Sequence, residues 1–154
     1  MKFAIGSKSR VTAIRLEPGE LVMEGLIKAS EEAGIKNGII LSGIGSFDGA
    51  SFFTPTPLPE KKAKYGYGNP KKLQGPIELL QMSGMICQGE DGEILPHIHC
   101  SFSDQQGDAF GGHLTEGNKV LLTVDVVVAE VADIHMGRKY DPDLGILVFN
   151  PESC

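Results

Sequence analysis

The run Val120–Val131, VLLTVDVVVAEV, is the most β-rich stretch in the chain. Branched side chains lose rotamer freedom in a helix and pack well on a pleated surface. The run therefore reads as a strand. Asp125 interrupts its apolar residues, which marks a strand exposed on one side. Other segments share the extended character: Arg10–Glu17, Pro76–Gln88, His97–Asp104, the stretch after Val131 as far as Tyr140, and Gly145–Phe149. Asp91–Gly92 lies between two of these runs, and Asp-Gly is a strong hairpin signal.

One segment has the helical period instead. In ELVMEGLIKASEEAGI, Leu21, Val22, Gly25, Leu26, Ala29 and Ala33 recur at three- and four-residue spacing. Glu24 and Lys28 are placed to pair at i,i+4, and Gly34 supplies a C-terminal stop. Many extended runs and one helix predict an α+β domain, a largely antiparallel β-sheet packed against one main helix. With 154 residues and no internal repeat, residues 1–154 are expected to form one domain with a core that needs no staple.

Asn37–Thr54 reads as a strand, a glycine-rich turn and a second strand. SGIGSF within it lacks the lysine and Ser/Thr of a nucleoside-triphosphate loop and the GxGxxG spacing of a dinucleotide loop. Its glycines are better explained by backbones that approach closely. Thr54–Pro76 is rich in proline, which disfavours long regular elements. It carries Lys61, Lys62, Lys64, Lys71 and Lys72 beside Glu60, with Tyr65 and Tyr67 among them. Aromatics between lysines could stack on bases, so these lysines are candidate nucleic-acid contacts. A solvated loop, or one packed on a partner subunit, fits the same residues.

The net charge of −6 argues against a surface that is basic throughout. The three cysteines, Cys87, Cys100 and Cys154, form no disulfide-rich pattern, which suits a reducing compartment. No signal peptide and no apolar span of about 20 residues is apparent. A cytoplasmic protein without a membrane partner is the expectation.

LPHIHCSFSDQQGDAFGGHL, Leu95–Leu114, holds three of the four histidines. On a strand, His97 and His99 leave the same face, and Ile98 and Cys100 leave the other. Ser103–Asp108 supplies a turn that would bring His113 back beside the pair. Three neutral imidazoles with an open fourth position suit zinc, and copper, nickel or iron could use the same nitrogens. The alternatives are a hydrogen-bonded histidine cluster in a cleft, or acid–base contacts to a ligand. His135 has no local partner and reads as structural or solvent-facing. An enzyme would also need a base. Glu78, Asp104, Asp108 and Asp125 are available, but none has a spacing that singles it out, and HExxH and GxSxG are absent.

GPIELLQMSG, then DGEILPHIHCSFSDQQGDAFGGHL, resembles the plant and prokaryote conserved (PPC) domain. That domain follows the AT-hook in plant AT-hook nuclear-localised proteins and occurs alone in bacteria and archaea. The resemblance runs from RVTAIRLEPGE to GILVF. It implies an antiparallel sheet with a packed helix, a homotrimer, and a metal site near a subunit boundary. His97, His99 and His113 match that site's pattern. Plant relatives bind AT-rich DNA mainly through the hook's Arg-Gly-Arg core in the minor groove. No such core occurs here, and GPIELL carries Glu78 and no arginine. The leading expectation is a small trimeric metal-binding protein, with zinc as the ion. The others are a DNA-binding or DNA-associated regulator without an AT-hook, and a metal-dependent hydrolase or lyase.

Overall fold

The structure, a computed structural model, describes residues 2–154. The β-rich run becomes β8 (Val120–Ala132), between the edge strand β1 (Ser7–Leu16) and the long strand β2 (Gly38–Phe53). β8 runs antiparallel to both of these neighbours. The other edge of β2 pairs with β5 (Lys71–Gln88), which pairs with β6 (Ile94–Ser103), which pairs with β7 (Ala109–Leu114). β7 then returns to β2 at Phe52 and Phe53. Strands β2, β5, β6 and β7 therefore form a closed circuit.

A hairpin of β9 (Ile134–Asp141) and β10 (Ile146–Ser153) joins β5 through a parallel pairing of Gln88 with Gly137. A separate small hairpin consists of β3 (Pro55–Pro57) and β4 (Tyr65–Tyr67). The expected α+β class, a largely antiparallel sheet against one main helix, is the class observed.

The helix α1 spans Val22–Ala33. It buries Val22, Leu26 and Ser30, spaced four apart, so its inner stripe is narrower than the periodicity suggested. Gly34 closes it at φ 67°, donating its N–H to Glu31, while Ile35 donates to Ser30. A left-handed cap of this kind satisfies carbonyls that the last turn leaves free. Lys28 approaches Glu32 at 4.0 Å rather than Glu24. Its ammonium thus leans toward the negative end of the helix dipole.

Inside the circuit, Phe102 packs on Phe47 and Phe52 at ring-centroid distances of 5.6 and 5.5 Å. Leu26, Leu79, Met82, Ile86, Ile98, Val124 and Val128 complete the core, all essentially inaccessible. Burial alternates along β6 from Ile94 to Ser103 without a break, so one face is core and the other carries His97 and His99.

Two further sequence expectations need correction. Asn37–Thr54 holds one continuous strand, with no central turn. Its glycines serve close packing: a methyl group at Gly43 would lie 2.6 Å from Met82 Cβ, and one at Gly45 would strike the Thr123 carbonyl. The last residues of the proline-rich segment, from Lys71 on, belong to β5, because β2 is long enough to pair with them as far as Phe52–Lys71. The expected Asp-Gly hairpin is present: Gly89 N–H donates to Glu93, with Gly92 at φ 83°.

Candidate metal centre

β6 and β7 build the site by register. His99 lies directly opposite His113 in the antiparallel pairing, and His97 is one same-face step along β6. Cross-strand neighbours sit about 4.5–5.5 Å apart at Cβ, close enough for two imidazoles to face one ion. The three ring centroids are 5.1–5.3 Å apart. One nitrogen from each ring can be chosen so that all three lie within 4.8 Å of one another.

The turn before β7 is held by Asp104. Its Oδ1 accepts from the backbone N–H of Gln106 and of Asp108, and Gly107 takes φ 88°. Gly111 and Gly112 then let β7 slide between its neighbours. A methyl group on Gly111 would lie 2.7 Å from the Cys100 carbonyl oxygen, and one on Gly112 would strike the Phe53 carbonyl. This is the physical reason for the Gly-Gly pair before His113.

Partial burial governs the electrostatics. Desolvation, then the nearby Arg138 and the other two imidazoles, lower His97 to about 4. Desolvation, His99 and Arg138 lower His113 to about 4. Both rings are therefore neutral at physiological pH, the form that ligates metal. Nδ1 of His97 and Nδ1 of His113 are buried and have no hydrogen-bond partner among the described residues. Orphaned ring nitrogens of this kind are costly unless something accepts or shares their hydrogen-bonding capacity. Nitrogen donors in a converging set, with two ring nitrogens otherwise unpaired, fit a bound transition-metal ion.

The other candidates fall elsewhere. Cys100 is on the core face, and burial pushes its thiol up to about 12, so it has no thiolate to offer. His135 meets Gln88 through its Nδ1 at 3.1 Å. Asp125 pairs with Arg15 at 3.1 Å. Glu78 lies opposite Ser103, four residues along β6 from His99. No carboxylate joins the three imidazoles among the described residues. Of the five lysines, Lys62 pairs with Asp143, and Lys64 donates to the Pro59 carbonyl. Lys71 and Lys72 stand exposed at the start of β5, paired in register with Phe52 and Ser51 of β2.

Sequence reasoning missed three neighbours of the site. Tyr67, read as a stacking aromatic among lysines, lies 5.3 Å from the His113 ring and 5.5 Å from Phe53. Phe53 is the register partner of His113 on β2. Arg138 reaches the site from β9 and lines a cavity of about 720 Å³ together with Lys72 and His113. None has a local signal, since each arrives from a different strand.

A closed antiparallel circuit under one helix, with a converging three-histidine set on two adjacent strands, defines a small α+β protein equipped to hold a metal ion. Residues 3–132 match the Plants and Prokaryotes Conserved (PCC) domain, and the chain belongs to that family.

Among solved structures it is similar to a plant- and prokaryote-conserved protein from Pyrococcus horikoshii, at 27% identity and TM-score 0.81, over 97% of each chain. It is also similar to a metal-containing protein from Archaeoglobus fulgidus, at 26% identity and TM-score 0.82, over 97% of this chain and 99% of that one. It is 29% identical over 143 residues to the bifunctional protein GlmU of Synechococcus sp. (strain JA-3-3Ab). The match takes in 93% of this chain and 21% of that protein, so the chain spans about a fifth of that relative.

Proposed function

We propose that this chain is a metal-binding protein in which His97, His99 and His113 hold one zinc ion at an open site. The observation that carries the reading is the convergence of three ring nitrogens within 4.8 Å. The metal-containing relative from Archaeoglobus fulgidus supports it. The set offers nitrogen alone, which suits zinc and also copper, nickel or iron, so the ion is identified by measurement. Bound there, zinc would supply Lewis acidity and leave a fourth position free. This chain's own residues present His97 and His113 as neutral imidazoles and wall the site with Phe53 and Tyr67.

Binding stands ahead of a hydrolase or lyase reading because, among the described residues, no carboxylate accompanies the three rings, and Asp104 and Asp125 are engaged elsewhere. The test is elemental analysis of untagged protein. About one transition-metal ion per chain is expected. The double substitution His99→Ala/His113→Ala should remove it while the circular dichroism spectrum persists. Metal below a tenth of an equivalent, with no uptake on titration, would overturn the reading.

The working unit is a homotrimer, formed by residues 1–154 as one PCC domain. The apolar outer surface of β2, β5 and β8 supports assembly, with Leu41, Ile44, Leu80 and Leu122 between 46% and 67% exposed. Free cysteines and the absence of a long apolar helix among the described residues support work in the cytoplasm. A second reading, DNA association, draws on the exposed lysines Lys62, Lys64, Lys71 and Lys72. Binding to duplex DNA that weakens steeply with salt would support it, and no binding at low salt would remove it.

A further inference from the structure

The cavity beside the three histidines has a charge pattern of its own. It occupies about 720 Å³ between α1, β6, β7 and the β9 strand. Met23, Ile27 and Leu95 give it an apolar wall. Glu24, Lys72 and Glu116 line it from exposed positions, whereas Arg138 is half-buried. His113 and Arg138 both face the same space.

Arg138 is under-satisfied. One terminal nitrogen donates to the Leu147 carbonyl at 3.1 Å. Its Nε is buried without a hydrogen-bond partner, and no carboxylate pairs with it among the described residues. An arginine remains charged in any protein setting, and its donors form a planar fork that matches a carboxylate. A desolvated guanidinium without a counter-ion is unfavourable, and an anion that completes the fork removes the penalty. The residue also lies beyond Ala132, the end of the family match, so membership of the family does not by itself account for it.

We infer that this cavity takes a small organic carboxylate, held by the Arg138 fork beside the three-histidine site, with its apolar part along Met23, Ile27 and Leu95. Glu24 and Glu116 at the rim disfavour anions of higher charge, which favours a monocarboxylate over phosphate. Lys72, exposed at the mouth, contributes to attraction more than to the grip. The inference rests on the metal reading, because the ligand is expected beside the ion.

The test uses the full chain loaded with cobalt(II), whose visible spectrum reports on its surroundings. Cobalt uptake is measured first, then butyrate and inorganic phosphate are titrated separately. Butyrate should change the visible bands saturably, and phosphate should do so at least ten-fold more weakly. Arg138→Ala should weaken the butyrate response at least ten-fold with cobalt uptake unchanged, and Lys72→Ala by less than three-fold. Arg138→Lys, which keeps the charge and loses the fork, should fall between wild type and Arg138→Ala. It also covers the case in which the alanine variant does not fold.

Cobalt uptake without any butyrate response overturns the carboxylate site and leaves the metal reading intact. Equal responses in wild type and both arginine variants overturn it too, as does phosphate binding as tightly as butyrate. Absence of cobalt uptake overturns both readings together.

Discussion

His113 is held by three separate constraints: its register opposite His99, the ring of Tyr67 at 5.3 Å, and two preceding glycines that admit no side chain. Its replacement by alanine should therefore weaken zinc binding by more than the ~10–100-fold that loss of an outer-shell partner brings. Competition with a chromophoric chelator measures this. In the metal-free chain, His97 and His113 ionise at about 4, against 6.5 for the free side chain. Between those values the unfolded chain binds more protons than the native one, so stability falls as pH drops through the window and is level above it. Urea midpoints from pH 7.5 to 4.5 should decline for the wild type and decline less for His97→Gln/His113→Gln. Parity alone made the HxH pair legible, because side chains on a strand alternate. Tyr67, Phe53 and Arg138 were not legible as neighbours, since they come from three other strands.

At the scale of elements, the site depends on how tightly β7 fits between β6 and β2. A side chain at Gly112 would meet the Phe53 carbonyl, a backbone atom that cannot turn away. Gly112→Val should therefore separate β7 from β2 and cost about 1–3 kcal/mol, the range for overpacking. Metal affinity should drop although all three histidines remain. Denaturant midpoints and zinc titration check the two halves of the prediction. The helix offers a contrasting case: Leu26 is fully buried beneath the sheet, so Leu26→Ala should cost about 2–5 kcal/mol, read from the same midpoints, with metal stoichiometry unchanged. Element type was largely legible from period and composition. The continuous β2 was not, because glycines that usually mark a turn are used here to admit neighbouring strands, as at Gly45 with φ 152°.

Across the whole molecule, the helix covers one side of the sheet and leaves Leu41, Ile44, Leu80 and Leu122 exposed on β2, β5 and β8. If these side chains meet their equivalents in a trimer, a charge among them would be buried without a partner. Leu122→Glu should therefore shift the assembly to monomers, as seen by light scattering or sedimentation. Leu122 is 67% exposed in the single chain, so the same change should leave the monomer's fold intact. Loss of metal along with assembly would link the site to the subunit boundary, and retained metal would make each chain self-sufficient.

By itself the sequence determined the α+β class, the existence of one packed helix, and the shared face of His97 and His99. These follow from local periods of about two and 3.6 residues, which any reader of the chain can count. Tertiary structure decided the register that sets the returning His113 directly opposite His99, the unbroken run of β2 through its glycines, and the arrival of Arg138 beside the histidines with no counter-ion among the described residues. Those outcomes depend on strand register and on close approach between distant segments. Neither is encoded in any local spacing, because each is set by which long-range pairings bury the core.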